Sequence, residues 1–120
     1  MRDDYPLFVH WYKQLDWILD TVERFPRSSR FTLGSRVADL ALGVLECIVE
    51  AIYTKDRAAI LRRINLDLEK LRILFRIAAD RKYISLRQLE FISQGLDEAG
   101  RMTGGWSKHE AMQRAVRESH

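Results

Sequence analysis

Residues 61–78 read LRRINLDLEKLRILFRIA, and the spacing of their apolar side chains decides the fold class. Apolar residues recur at steps of three and four, which matches the period of an α-helix with one buried face. This is the longest and clearest such pattern in the chain, and it predicts that helices build the protein. The core line of the helix comprises Leu61, Ile64, Leu68, Leu71, Phe75 and Ala78.

The same spacing occurs twice before this stretch. It predicts a first helix that Asp4 caps, that holds Pro6 in its first turn and that ends at Pro26. Residues 27–36 are polar and basic without an acidic residue, which is typical of a loop. A second helix is expected from Val37 to about residue 53 or 54.

Capping residues divide the rest of the chain. We expect Thr54 or Asp56 to cap the third helix, and Arg81 and Lys82 to lie in its last turn, where cations complement the helix dipole. Ser85 and Gln88 have the spacing of a capping box that starts a fourth helix. Two adjacent glycines, residues 104–105, are expected to end that helix.

Four helices joined by short connections favour an all-α fold, an antiparallel up-down-up-down four-helix bundle. We expect the bundle to comprise residues 1–106, with Trp106 folded back on the core. Residues 107–120 are then a polar C-terminal tail, either frayed or a short helix.

Composition sets limits on the function. The 120 residues suffice for one domain, and the net charge of +3 with a pI near 9.2 suits an acidic partner. Cys47 is the only cysteine, which excludes an intrachain disulfide and a cysteine-based zinc site. No apolar run reaches the roughly 18 residues of a membrane span. We therefore expect a cytoplasmic protein without a membrane partner.

The third helix has a second apolar face. At about 100° per residue, a stripe of side chains projects nearly opposite to the core line. Stacked outward apolar residues usually mark a contact surface, so the stripe predicts self-association or partner binding. The alternative is that bundle neighbours or the tail cover it. The stripe consists of Ala59, Leu66, Ile73 and Ile77, and Trp17 is a second candidate because it also lies off its helix's core line.

Basic residues concentrate in two places. Residues 55–87 contain ten basic side chains against four acidic ones, and the predicted loop adds a second cluster. Arginine predominates, and its planar fork binds phosphate in a bidentate manner. Beside aromatic residues such as Phe25 and Phe31 this favours nucleic-acid binding. The alternative is a solvated surface with intrahelical pairs, for example Arg76 with Asp80.

Catalytic chemistry is not indicated. Glu46 and Glu50 lie one turn apart, but the Glu-x-x-His motifs of bundle di-metal sites do not occur. Cys47 adjoins a core line and is expected to be a buried small hydrophobe. We therefore expect no enzyme activity, no metal and no cofactor. Three histidines are expected to be structural or solvated: His10, His109 and His120.

Taken in order, five segments resemble the accessory variability determinant family of diversity-generating retroelements. They are FPRSSRFTLGSR at 25–36, LECIVEAIY at 45–53, LDLEKLRILFR at 66–76, SLRQ at 85–88 and GRMTGGW at 100–106. The resemblance spans about residues 6–106. Bundle proteins encoded in ribosomal-RNA intervening sequences are similar in the first loop, but they carry an Asn-Ile-Ala-Glu-Gly-like stretch where this chain has ECIVEA.

The resemblance implies a homopentamer with a basic surface that binds the element's reverse transcriptase and template RNA or an RNA/DNA hybrid. It implies no catalysis by the chain itself. The alternative is a protein-protein interaction scaffold of the intervening-sequence type, without nucleic-acid binding. The resemblance makes Arg27, Arg30, Arg36, Arg72 and Arg76 the binding candidates, and the basic run adds Arg62, Arg63 and Lys70.

Overall fold

The structure, a computed structural model, describes residues 2–119, and it confirms the all-α fold. Each helix packs against the next, and α1 closes against α4, so that the helices form an up-down-up-down bundle. Within residues 2–119, no helix combines the length and the apolar character that crossing a membrane requires. The four helices are α1 (Pro6–Glu23), α2 (Ser35–Ile52), α3 (Ala58–Asp80) and α4 (Leu86–Glu118).

Buried residues of all four helices, among them the predicted core line of α3, form one core along the bundle axis. Trp11 of α1 is fully buried, and its indole Nε1 donates a hydrogen bond to the carbonyl oxygen of Ala41 in α2, 3.0 Å away. Phe75 of α3 is equally buried. All six residues of the predicted α3 core line are buried, as the sequence indicated.

Helix α1 differs from the prediction at both ends. Asp4 does not cap it, because Asp4 lies in a short 3-10 turn, Arg2–Asp4, and Tyr5 occupies the cap position without a side-chain hydrogen bond. Pro6 does lie at the helix start. The helix ends at Glu23, so that Phe25 leaves it and enters the core.

The predicted loop after α1 is mostly helical. Arg27–Ser29 form a 3-10 turn and Arg30–Gly34 a π-helical turn that runs directly into α2. Gly34 packs closely here: a Cβ atom at this position would lie 3.2 Å from Cγ1 of Val22, so the Val22 side chain would have to shift by a few tenths of an ångström. The prediction of a loop at residues 27–36 is therefore wrong, because most of these residues have a helical backbone.

The caps of α3 also differ. Neither Thr54 nor Asp56 caps it: Arg57 holds the cap position without a side-chain bond, and the Thr54 hydroxyl donates back to the carbonyl oxygen of Glu50. At the other end α3 stops at Asp80. Arg81 is therefore the C-cap, and Lys82 has a left-handed backbone, with a φ of 65°.

Helix α4 begins as predicted but ends much later. The capping box of Ser85 and Gln88 is present. The helix then continues through Gly104 and Gly105 for a total of 33 residues, which makes it longer than the 23-residue α3. The predicted tail is therefore helical up to Glu118, and His120 lies outside the described residues.

Tertiary contacts explain why the glycine pair does not stop α4. Trp106 packs against the core with its ring centroid 5.2 Å from that of Tyr5, and the Arg57 guanidinium carbon lies 5.1 Å from the centre of the indole ring. Arg57 also pairs with Glu110, one turn further on. These contacts offset the roughly 1 kcal/mol that each glycine costs a helix relative to alanine.

Replacing Gly104 and Gly105 together by alanine tests this continuation. A Cβ atom at either position would meet no neighbour within 4 Å, and neither glycine has a positive φ. We expect the free energy of unfolding to rise by about 1 kcal/mol per substitution. Urea unfolding followed by circular dichroism measures it. A clear loss of stability would mean that the glycines end the helix in left-handed conformations.

Candidate binding surfaces

One end of the bundle gathers arginines that are far apart in the sequence. The antiparallel topology places the segment after α1 beside the turn between α3 and α4. Residues 24–36 and 76–87 together carry eight basic side chains and one acidic one, Asp80. We call this surface the arginine end. Its basic residues are Arg24, Arg27, Arg30, Arg36, Arg76, Arg81, Lys82 and Arg87.

The segment that carries the first four arginines is held firmly. Phe25 is buried, with its ring centroid 5.6 Å from that of Tyr83 in the α3–α4 turn. Ser29 is also buried, and its hydroxyl donates to the carbonyl oxygen of Pro26. Arg30 donates from Nε to the carbonyl oxygen of Phe25 at 3.1 Å, which holds its guanidinium group against the backbone. The arginines thus project from an ordered backbone.

A concave pocket of about 730 Å³ lies between the two parts of the arginine end. Phe31, Arg36 and Arg81 contribute to its wall, together with hydroxyls such as that of Thr32. Arg81 donates from Nε to the Tyr83 hydroxyl at 3.0 Å. The pocket therefore combines cations, hydrogen-bonding hydroxyls and an aromatic ring.

Half of the predicted basic candidates are exposed at the arginine end. Within residues 2–119, none of these four forms an ion pair with a carboxylate, so their charge is available to an external partner. They are Arg27, Arg30, Arg36 and Arg76.

Three other candidates form ion pairs with acidic residues of the same chain. Arg63 and Lys70 both lie beside the buried carboxylate of Asp67, at 3.3 and 3.8 Å. Arg72 pairs with Glu69 on its own helix and with Asp97 on α4. The pair that the sequence suggested between Arg76 and Asp80 is not among the ion pairs of the described residues. Acidic residues therefore neutralise part of the basic run of α3, and among these pairs only that of Arg72 with Asp97 links α3 to another helix.

Arg62 lies apart from the other candidates. It borders a cleft between the start of α3 and the C-terminal part of α4. Fourteen helical residues separate it from Arg76, which at 1.5 Å per residue places it about 20 Å away along the helix axis. The structure therefore does not unite all eight predicted residues in one site.

The outward stripe of α3 is exposed as predicted. Leu66, Ile73 and Ile77 have exposed fractions of 50%, 54% and 40%, and Ala59 is exposed as well. Neither the bundle nor the tail covers them. Ile77 also lines the pocket at the arginine end, so that the apolar stripe and the basic surface adjoin.

Trp17 is placed differently from the stripe. It is half-buried between α1 and its neighbours, with its ring centroid 6.3 Å from that of Phe75 and 5.0 Å from that of Phe91. Phe91 itself is 48% exposed. The two rings form a second apolar patch, on the side of the bundle where α1 meets α4.

The Cys47 side chain is half-buried, not fully buried as the sequence predicted. Burial raises the pKa of the Cys47 thiol, and the nearby carboxylates of Asp67 and Glu50 act in the same direction, so the reactive thiolate is disfavoured. His10 forms a hydrogen bond with the carbonyl oxygen of Gly95, and His109 is exposed. Among residues 2–119, no three His, Cys, Asp or Glu side chains cluster in a way that could hold a metal ion.

Sequence reasoning missed part of the arginine end and misjudged one aromatic residue. Arg81, Lys82 and Arg87 belong to the basic run but were not chosen as candidates. The antiparallel topology itself was the signal that could have placed them beside Arg27. Phe25, which we grouped with Phe31 as an aromatic next to the arginines, is buried and unavailable for binding.

Comparison with known proteins gives one match. The model of a protein family described as bAvd-like matches residues 9–110 of the chain, which include α2 and α3 and most of α1 and α4. No curated protein and no solved structure shows significant similarity.

Proposed function

The chain belongs to the bAvd-like family, the bacterial accessory variability determinants of diversity-generating retroelements, and we propose that it binds reverse transcriptase and nucleic acid during mutagenic reverse transcription. Family membership makes it an accessory protein of such an element. In the proposal it acts in the cytoplasm as a non-catalytic subunit that brings the enzyme and its template RNA, or the RNA/DNA hybrid, together.

The observation that carries this proposal is the unpaired charge of four arginines at the arginine end, where Arg24 alone pairs with a carboxylate of the described chain, that of Asp20. Arg27, Arg30, Arg36 and Arg76 have no carboxylate partner within the described chain. Evenly solvated surface charge would be spread over the molecule and interleaved with acids. Arginines concentrated on a rigid segment instead suit the regularly spaced phosphates of a nucleic-acid backbone.

Self-association through two apolar surfaces is the second part of the proposal. A ring of copies needs two different surfaces on each chain, because a heterologous contact that closes generates a ring. The α3 stripe and the patch of Trp17 and Phe91 supply two such surfaces on different helices. We propose that they join the copies, with five in the ring as the family resemblance implies.

A protein-only scaffold remains the second candidate function. It is supported by the ion pairs that Arg63, Lys70 and Arg72 form with acidic residues of the same chain, because these pairs leave less basic charge for a nucleic acid. In that case binding of reverse transcriptase would be insensitive to added nuclease.

Replacing Arg27, Arg30 and Arg36 together by glutamine tests nucleic-acid binding. Each lost phosphate contact lowers the salt dependence of binding, so we expect the slope of log K against log salt to fall by about two units and RNA affinity to fall on the order of a hundredfold at 0.1 M salt. Fluorescence anisotropy with a labelled RNA at several salt concentrations measures both.

The matched control removes three cations from the opposite end of the bundle: Lys55, Arg62 and Arg117, all exposed. It changes the net charge by the same amount and should weaken RNA binding much less. Equal losses for both triple variants would show that overall charge, and not the arginine end, governs binding.

Ile73→Glu tests the proposed role of the stripe. Burying an unpaired carboxylate in an apolar contact is costly, so the assembly should dissociate to monomers, while the exposed position leaves the helical content unchanged. Sedimentation velocity gives the mass and circular dichroism the helicity. Met112→Glu places the same charge on an exposed apolar position of α4 and should leave the mass unchanged. An unaltered mass for the Ile73 variant would contradict the proposed contact.

A further inference from the structure

The Phe31 side chain is largely exposed to solvent and does not pack against the core of the described bundle. Its exposed fraction is 87%, the highest among the large hydrophobic side chains that face solvent in the described chain. Neighbours on the same short segment, Ser29 and Gly34, are buried, and Leu33 packs against the core. The segment is thus held against the bundle by two small residues and a leucine, while its aromatic ring is exposed to solvent.

The surroundings of the ring favour a nucleotide over an apolar partner. Phe31 shares its pocket with Arg36 and Arg81, and neither arginine has a carboxylate partner among residues 2–119. Asp39 is the only acidic residue in the pocket wall within that part of the chain. An aromatic ring next to unpaired arginines matches a base next to its phosphates.

We infer that this pocket binds single-stranded nucleic acid, with one unpaired base stacked on Phe31 and an adjacent phosphate held by Arg36 or Arg81. The inference rests on the proposed function, nucleic-acid binding at the arginine end, and specifies the strand type. Bases within a duplex are already stacked on each other and do not offer a face to the ring, whereas an unpaired base does. Phe31 therefore separates single strands from duplexes, and the arginines bind both.

Phe31→Ala tests the inference. Binding is measured by fluorescence anisotropy at 0.1 M salt with an unstructured 12-nucleotide RNA and with a 12-base-pair RNA duplex. Stacking of one base contributes about 1–3 kcal/mol, and 1.4 kcal/mol is a factor of ten, so affinity for the single strand should fall between about 5-fold and 150-fold. Affinity for the duplex should stay within about twofold. Phe31→Trp should retain single-strand binding, since indole also stacks.

Arg36→Gln is the matched control from the same pocket. It should lower the affinity for the single strand and the affinity for the duplex by similar factors. The exposure of both side chains means that the variants should keep the helical content of the parent protein, which circular dichroism checks.

The possible outcomes separate the two claims. Single-strand binding that Phe31→Ala leaves unchanged, while the Arg27, Arg30 and Arg36 variant binds less, overturns the stacking inference alone. A parent protein that binds neither RNA overturns the proposed function as well. If Phe31→Ala instead lowers the assembly mass, or lowers reverse transcriptase binding with RNA binding intact, then the ring is a protein contact and the inference is wrong.

Discussion

Burial of Phe25 is the contact on which the arrangement of the binding surface depends. Helix α1 ends at Glu23, and the Phe25 ring turns into the core beside Tyr83. This contact links the end of α1 to the turn between α3 and α4. The residues that follow therefore cross the end of the bundle before α2 begins. Arg27 and Arg30 on this segment, and Arg36 in the first turn of α2, are exposed there.

The bundle topology determines where the basic residues lie. Basic residues spread over more than 50 positions of the sequence converge at one end, because antiparallel helices return there twice. Along α3, acids neutralise the middle: Asp67 engages Arg63 and Lys70, and Asp97 engages Arg72. Basic side chains that form no ion pair within the described chain lie at the arginine end, where Phe31 is also exposed. In the proposed function, the accessory protein acts through this surface, which supplies both the position and the charge that bind a partner.

Periodicity predicted the features that repeat and failed at those that depend on single contacts. The core line of α3, the exposure of the outward stripe and the capping box of Ser85 follow from local spacing, and the structure confirms them. The end of α4 does not, because Gly104 and Gly105 disfavour a helix that Tyr5 and Arg57 hold in place from elsewhere in the chain. Likewise, local sequence could not show that Phe25 is buried and Phe31 exposed, or that Arg72 pairs with Asp97 on α4. Contacts between different helices and segments decide which of these side chains are buried or paired, and the composition of a segment does not reveal such contacts.

The central claim is that nucleic acid binds at the arginine end, and photochemical cross-linking tests it most directly. A single-stranded RNA carrying 4-thiouridine is irradiated in complex with the full chain, and mass spectrometry identifies the cross-linked peptides. The account predicts cross-links within residues 24–39 and 76–87. Cross-links that fall instead within residues 52–63 and 106–119, at the opposite end of the bundle, would contradict it.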